Sequence, residues 1–294
     1  MKKVLLTGGT GLIGTDVRKK LLSCGYRIYL FTRKKVEEEN LICLEGDMKN
    51  FTDFASLPSC DVVIHCGGAV RLKPDEDDFE TYRLVNMEFS EKLFDWCNRI
   101  SKKVAVVFFS GFNFLSRPLS DIITEEHDIA PVSIYGMSKY WAETCLFKKA
   151  KNYRPVSLRI SSPVAFDFDI LHDNVVKKWI NSARKEKKIF VFGTGNRTQD
   201  FVATQDIAVS VLKIIENNNV DGIYNIASGN QLSMNELAKL IAKHFDADII
   251  HTGDDLNEND RWNISIDKAG RDFGYKPQYT SKSCIIKLLE TLCV

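Results

Sequence analysis

Short apolar runs alternate with longer amphipathic stretches through the first half of the chain. The runs that predict strands cover residues 4–6, 27–31, 41–44, 61–65, 103–109 and 156–160. The runs at 61–65 and 103–109 are almost continuously apolar, as strands buried on both faces of a parallel sheet must be. Between these two runs, residues 84–100 predict a helix with an apolar face made of Val85, Phe89, Leu93, Trp96 and Ile100.

Alternating strands and helices predict right-handed βαβ crossovers. We therefore expect an α/β chain with a doubly wound parallel Rossmann sheet and a smaller C-terminal substrate-binding lobe. The chain has 294 residues, enough to bury a sizeable core. The predicted dinucleotide-binding domain covers 1–162 and is completed by about 198–226. The predicted lobe comprises 163–197 and 227–294.

A glycine-rich turn follows the first predicted strand, with Gly8, Gly11 and Gly14 leading into an amphipathic helix. One glycine lets the chain turn off the strand, one lets backbone N–H groups reach a pyrophosphate, and one lets the helix lie close to the sheet. The helix N-terminus then faces the phosphates with the positive end of its dipole. The turn predicts dinucleotide binding, with further contacts from Thr10, Leu12 and Ile13.

Tyr135 and Lys139 are four residues apart and so share one face of a predicted helix. A phenol has a pKa of ~10, and a nearby ammonium group lowers that pKa by favouring the phenolate. Such a pair can act as a general acid/base between a hydroxyl and a carbonyl, and the lysine can also hold a cofactor ribose. Taken alone, this spacing is common and more typical of an amphipathic helix surface, but the upstream glycine turn reverses that preference in favour of the catalytic interpretation.

Composition limits the partners and the compartment. The formal net charge is +1, from 40 basic and 39 acidic residues, which gives no reason to expect nucleic acid or an anionic membrane as the main partner. The eight cysteines show no Cys-x-x-Cys spacing, and several lie in apolar runs, so reduced thiols in a cytoplasmic protein are expected. The five histidines are scattered and suggest no metal site.

With both motifs in view, the chain resembles an extended short-chain dehydrogenase/reductase of the NAD-dependent epimerase/dehydratase family, over nearly its whole length. Thr7, Gly8, Gly11 and Gly14 match the family's Thr-Gly-x-x-Gly-x-x-Gly pattern. Other matches lie at 46–47, 61–69, 85–86, 123–125, 158–160, 193–195, 200–202, 224–226, 233 and 236–238. The resemblance implies further cofactor contacts from Asp47, Met48, Gly67, Gly68, Ala69, Asn86 and Ser162.

The family often forms homodimers through the Tyr/Lys helix and the helix before it. The resemblance therefore implies a homodimer here. The outward apolar candidates are Tyr140, Trp141, Phe94 and Trp96. Packing in the core explains these four side chains almost as well, and the pattern alone leaves both interpretations open.

The end of the second predicted strand departs from the NAD-binding pattern. A carboxylate there would bind the 2′-hydroxyl of NAD, but this chain offers Arg33 followed by Lys34. A guanidinium can pair with the 2′-phosphate of NADP. We therefore predict NADP as the cofactor, with NAD as the alternative.

A second departure concerns the catalytic hydroxyl. In the family the strand corresponding to 103–109 ends in Ser-Ser or Ser-Thr, and the second hydroxyl binds the substrate's reacting oxygen. Here the pair is Ser110-Gly111, so Ser110, a water molecule or the substrate itself must supply that contact. The Asp-Glu pair of the family's 4,6-dehydratases is replaced by Phe112-Asn113, which argues against a dehydratase.

A third departure lies in the expected sugar-nucleotide pocket. Many relatives carry a phosphate-binding arginine just before Asp-Phe-Val, and here that position is Gln199. Arg197, on the same face of the predicted strand, and Arg261 are the substitute candidates. That both arginines are merely solvated is an equally good interpretation.

The resulting prediction is an NADP-dependent oxidoreductase that reduces a keto group of a sugar nucleotide or a related compound, with Tyr135 as general acid/base. Lys139 would assist Tyr135, and Ser110 would bind the reacting oxygen. One alternative is an NAD-dependent sugar-nucleotide epimerase. The other is a catalytically impaired NADP-binding regulatory protein, which Gly111 favours.

Overall fold

The computed structural model describes residues 2–70, 79–119 and 121–292. Its strands are β1 (Lys3–Thr7), β2 (Arg27–Thr32), β3 (Leu41–Glu45), β4 (Val62–His65), β5 (Val104–Gly111), β6 (Tyr153–Ile160), β7 (Ser162–Val164), β8 (Lys188–Phe192), β9 (Thr198–Ala203), β10 (Gly222–Ile226), β11 (Gln231–Ser233) and β12 (Asp248–Thr252). Its helices are α1 (Leu12–Ser23), α2 (Phe79–Thr81), α3 (Phe89–Cys97), α4 (Ile134–Lys148), α5 (Val175–Glu186), α6 (Thr204–Glu216), α7 (Met234–Phe245), α8 (Asp267–Phe273) and α9 (Ser281–Thr291). Short 3₁₀ turns cover Phe54–Ser56 and Phe168–Ile170.

A seven-stranded sheet in the order β10-β6-β5-β4-β1-β2-β3 forms the centre of the molecule. Every neighbouring pair in it is parallel. The order reverses between β1 and β4, which lie side by side with Thr7 opposite His65. This confirms the predicted doubly wound Rossmann sheet, and the reversal places the ligand crevice at the carboxyl ends of β1 and β4.

Side chains alternate between two apolar layers that cover the faces of this sheet. Along β5, Val107 and Phe109 belong to the layer under α1 and α6, whereas Val106 and Phe108 belong to the layer under α3 and α4. A separate apolar cluster joins residues of α5, α7 and α9 with β8 and β9. The division into two domains stays a prediction, although this last cluster falls largely within the expected lobe.

The helix predicted over 84–100 is present, but it begins earlier and contains a π-helical segment, Tyr82–Glu88, between α2 and α3. Phe89, Leu93, Trp96 and Ile100 are buried as expected. Val85 is only partly buried. A π turn carries one more residue than an α turn, so Val85 falls off the shared face.

Two of the four side chains proposed for a dimer face lie in the core instead. Phe94 is 0% exposed and Trp96 is 7% exposed, because both pack in the apolar layer between the sheet and helices α3 and α4, which also contains Phe108. In the described ranges no helix is long and apolar enough to cross a membrane. The same residues contain no group of His, Cys, Asp and Glu that could hold a metal ion.

Candidate active site

A cavity of about 510 Å³ lies where the parallel strands end. Most of the predicted site residues line it: Gly8, Thr10, Gly11, Leu12, Ile13, Gly14, Arg33, Asp47, Met48, Gly67, Gly68, Ala69, Ser110, Gly111, Tyr135 and Lys139. Asn86, Ser162, Arg197, Gln199 and Arg261 are not among the lining residues. The cavity thus joins the glycine turn to the Tyr/Lys pair, which are more than 100 positions apart in the sequence.

The glycine turn brings backbone atoms closer together than side chains allow. Gly8 has φ +71°, and a Cβ added there would lie 2.5 Å from the amide nitrogen of Gly67. A Cβ on Gly14 would overlap the carbonyl oxygen of Gly8. Helix α1 then begins at Leu12 with no side-chain cap at Gly11. Its first N–H groups are therefore left for a ligand, and this cradle fits a dinucleotide pyrophosphate.

A chain of buried polar groups supports the turn after β4. Thr7 Oγ1 accepts from the Gly67 amide at 3.2 Å and lies 2.6 Å from His65 Nδ1. His65 Nε2 lies 2.9 Å from Ser90 Oγ, which donates to the Asn86 carbonyl at 2.7 Å. Since the only Ser90 hydroxyl proton is used in that bond, His65 must donate from Nε2 and accept from Thr7 at Nδ1.

Asn86 is not a lining residue, but it hydrogen-bonds to two segments that border the cavity. Its Oδ1 accepts from the Ala69 amide at 2.7 Å, and its Nδ2 donates to the Ala69 carbonyl at 3.0 Å. Nδ2 also donates to Ser138 Oγ at 2.9 Å, and Ser138 in turn donates to the Tyr135 carbonyl at 2.8 Å. Asn86 therefore positions the cofactor turn and the start of α4 together.

Lys139 and Tyr135 lie on one face of α4, whose N-cap Ser133 accepts from the Gly136 amide at 3.0 Å. Lys139 Nζ donates to the Phe109 carbonyl at 2.5 Å and lies 4.2 Å from the centre of the Phe108 ring. Burial lowers the pKa of Lys139 to about 8. A lysine of this kind changes charge near neutral pH.

The expected lowering of the Tyr135 pKa is not found. Burial, with a smaller contribution from Tyr82, raises the pKa of the Tyr135 phenol to about 12. The two rings are 5.9 Å apart. Desolvation of the phenolate is the larger of the two causes. The ammonium group of Lys139 donates to the Phe109 carbonyl.

Arg33 lines the cavity beside Asp47. Its NH1 is 3.9 Å from Asp47 Oδ2, and its side chain is 76% exposed. At this separation and exposure the pair contributes little to stability. The guanidinium is therefore available to a ligand.

The three polar residues expected in the substrate pocket all bond to other protein groups. Arg197 Nε lies 2.7 Å from Asp255 Oδ2, and Arg197 NH1 donates to Gln199 Oε1 at 3.4 Å. Gln199 Nε2 donates to Ser162 Oγ at 2.5 Å. Arg261 NH1 donates to the carbonyls of Glu258 and Asp260 at 2.9 and 3.0 Å. Arg197 and Gln199 do lie together, as the period-two argument predicted.

Several lining residues were not predicted from the sequence. Cys66, Val70, Val85, Asn113, Ile160, Ser161, Pro163 and His172 all face the cavity. Asn113 and His172 lie in irregular segments with no periodicity or motif to mark them. The sequence did hold a signal for Asn113, because a polar residue between Phe112 and Phe114 is expected to face away from the core that buries both rings.

A family model described as "NAD dependent epimerase/dehydratase family" matches residues 4–227. A protein of Methanocaldococcus jannaschii named as a putative UDP-glucose 4-epimerase is 25% identical, over 97% of this chain and 97% of its own length.

Crystal structures of epimerases share the fold. UDP-glucose 4-epimerase of Thermotoga maritima, solved with UDP-glucose, gives a TM-score of 0.85 at 20% identity, covering 99% of this chain and 98% of that one. UDP-glucuronic acid 4-epimerase of Bacillus cereus, solved with UDP-glucuronic acid and NAD, gives a TM-score of 0.85 at 21% identity, again covering 99% of this chain and 98% of that one. At these identities the likeness shows the architecture alone.

Proposed function

The chain belongs to the NAD dependent epimerase/dehydratase family, and from this premise we propose that it is a sugar-nucleotide epimerase that uses Tyr135 as its general acid/base. This was the alternative to the reductase in the sequence analysis. The putative UDP-glucose 4-epimerase of Methanocaldococcus jannaschii, which aligns with this chain over 97% of both lengths, favours it over the NADP-dependent reductase. The observation that carries the proposal is the single cavity that holds the glycine turn, Tyr135 and Lys139.

In the proposed reaction Tyr135 takes the proton of a sugar hydroxyl and later returns it to the same oxygen. A bound nicotinamide would supply the hydride acceptor and donor for the carbon that carries this oxygen. The configuration of that carbon inverts because the keto-sugar presents its opposite face when the hydride is returned. Lys139 stabilises the phenolate and holds the ribose. A neighbouring cation favours a phenolate over a phenol, and Lys139 lies on the same face of α4 as Tyr135.

A reductase with NADP remains the second candidate, because two observations favour it. Arg33 lines the cavity with an exposed guanidinium that can bind a 2′-phosphate. The pKa of Tyr135, raised to about 12, keeps the free phenol protonated, which suits proton donation to a keto group.

Sugar-nucleotide binding requires a partner for the diphosphate. Arg197 is the best placed candidate. It donates to Gln199, and Gln199 donates to Ser162, whose two chain neighbours Ser161 and Pro163 line the cavity. A diphosphate at Arg197 would have to displace Asp255. The homodimer and the cytoplasmic location stay predictions.

Co-purifying cofactor and product analysis test the proposal together. The protein is denatured, released nucleotides are identified by mass spectrometry, and the native protein is then incubated with UDP-glucose, UDP-glucuronic acid and UDP-N-acetylglucosamine. An epimerase retains NAD and converts at least one sugar to its 4-epimer without consuming cofactor. Loosely bound NADPH that is consumed in proportion to a keto-sugar substrate supports the reductase instead. Bound cofactor with no conversion of either kind supports the regulatory alternative.

A further inference from the structure

Gly111 leaves one side of the cavity without a side chain. A Cβ added there would have two neighbours within 4 Å, the Asn113 Oδ1 atom at 3.4 Å and the Ile160 carbonyl at 4.0 Å. Apart from the two chain neighbours, the nearest side-chain atom to this Cβ position belongs to Asn113. A side chain at position 111 would thus begin beside the Asn113 carboxamide.

Two buried aromatic rings hold Asn113 in this place. Phe112 is 1% exposed and its ring lies 5.8 Å from that of Trp262. Phe114 is 0% exposed and its ring lies 5.4 Å from that of Tyr140 on α4. Because both neighbours are anchored in the interior, the Asn113 side chain is turned outward, where it is exposed and lines the cavity.

The backbone of Asn113 lies against the N-terminus of the Tyr135 helix. A Cβ on Gly136, the residue after Tyr135, would overlap the Asn113 carbonyl oxygen. Asn113 is therefore close both to Gly111 and to the residue that follows Tyr135. In the described ranges no hydrogen bond engages its carboxamide, which can turn either its NH₂ group or its oxygen toward a ligand.

Ser110 is the competing donor, since it also lines the cavity. Its Oγ atom is buried and has no hydrogen-bond partner in the described part of the chain, whereas the Asn113 side chain is exposed. The Asn113 carboxamide is therefore the more accessible of the two groups to a substrate.

We propose that the Asn113 side chain hydrogen-bonds the reacting oxygen of the substrate, in place of the hydroxyl that Gly111 lacks. The Nδ2–H group donates to the oxygen as it becomes a carbonyl, while Tyr135 exchanges the proton. Donors aimed at an oxygen that gains negative charge are commonly worth ~10²–10³-fold in rate. The inference rests on the proposed function, since it needs a hydroxyl–carbonyl interconversion at this cavity.

The test compares kcat, KM and cofactor affinity for wild type and four variants, with UDP-glucose, UDP-glucuronic acid and UDP-N-acetylglucosamine as substrates. The variants are Asn113→Ala, Gly111→Ser/Asn113→Ala, Ser110→Ala and the matched control Asn218→Ala, which alters an exposed asparagine between α6 and β10. We expect Asn113→Ala to lower kcat by ~10²-fold or more with cofactor affinity unchanged. The double variant, which restores a hydroxyl, regains part of that loss.

The outcomes separate this inference from the function on which it rests. Suppose that wild type converts a sugar. If Asn113→Ala then keeps the wild-type kcat, or if kcat falls in Ser110→Ala instead, the role of Asn113 is overturned while the proposed function stands. Asn113→Ala could also lower kcat and weaken cofactor binding together, with no recovery in Gly111→Ser/Asn113→Ala. That result indicates a structural role for Asn113 and also overturns the assignment. A wild type that interconverts no hydroxyl and carbonyl overturns both.

Discussion

His65 is the residue whose buried state has the clearest consequence for stability. It is 0% exposed, and burial lowers its pKa to about 3. The unfolded chain binds a proton near the ordinary pKa of ~6.5, whereas the folded protein stays neutral until about pH 3. Stability contributed by His65 is therefore fully present above pH 6.5 and is lost as the pH falls toward 3.

We predict that this residue makes the protein sensitive to acid. The unfolding free energy should fall by about 1.4 kcal/mol per pH unit in that window, or about 2.5 kcal/mol between pH 7 and 4.5. Urea unfolding at the two pH values measures the loss in wild type and in His65→Gln, which should lose about 2.5 kcal/mol less. His127→Gln, at a partly exposed histidine, serves as the control and should behave like wild type. Equal losses in wild type and His65→Gln would contradict the prediction.

Arg33 gives a prediction about the cofactor. For the NADP-dependent reductase, the second candidate, a charge-assisted bond from Arg33 to the 2′-phosphate is worth ~1.5–3 kcal/mol, which corresponds to roughly 10- to 150-fold tighter binding of NADPH than of NADH. The epimerase predicts no such preference. Fluorescence titration of both cofactors measures the ratio, and Arg33→Ala should abolish it. Lys35→Ala is the matched control, because Lys35 is paired with Glu37 at 2.6 Å and does not line the cavity. A ratio near one in wild type would refute a role for Arg33 and leave NAD as the cofactor.

At the scale of whole elements, α4 depends on a close approach at its first turn. Replacing a helical glycine by alanine normally stabilises a protein by ~0.5–1 kcal/mol. Gly136→Ala should do the opposite, because the new Cβ would overlap the Asn113 carbonyl. The first turn would then shift, so thermal stability and kcat should fall together.

Gly270 in α8 provides the comparison, since a Cβ there would meet the Tyr275 carbonyl at an ordinary 3.6 Å. Gly270→Ala should keep or raise the melting temperature and leave kcat unchanged. A Gly136→Ala variant that is more stable than wild type would show that α4 does not need this contact.

The sequence predicted regular elements well and contacts between elements poorly. The parallel strands follow from continuous apolar runs, and the shared face of Tyr135 and Lys139 follows from helical geometry. The π-helical segment Tyr82–Glu88 has no periodicity of its own, so Val85 was assigned to the core. For Phe94 and Trp96 the pattern left outward and core positions open, and both side chains lie in the core.

Contacts within the candidate site could not be predicted from the sequence for the same reason. The bond from Lys139 to the Phe109 carbonyl and the pair of Arg197 with Asp255 join segments 30 and 58 positions apart. No local pattern predicts such pairs. The raised pKa of Tyr135 depends on burial, which only the assembled cavity decides.

For the molecule as a whole, α4 leaves an apolar surface exposed. Met137, Tyr140 and Trp141 are 56%, 37% and 46% exposed. We predict that two copies associate through this surface, so that sedimentation at micromolar concentration gives twice the 33.4 kDa of one chain. Trp141→Glu should dissociate the pair because a buried unpaired charge is costly. Ile286→Glu, at a comparably exposed apolar residue on α9, should not. A mass of 33.4 kDa for wild type would rule the dimer out.

Proton NMR of UDP-sugars incubated with the protein in D₂O tests the central claim most directly. The account predicts a growing signal from the 4-epimer, no deuterium at C4 because the same hydride returns, and no net use of cofactor. Tyr135→Phe should slow this conversion by ~10²–10⁴-fold while still binding cofactor. Unchanged sugars, deuterium incorporated at C4, or full activity in Tyr135→Phe would contradict an epimerase that works through Tyr135.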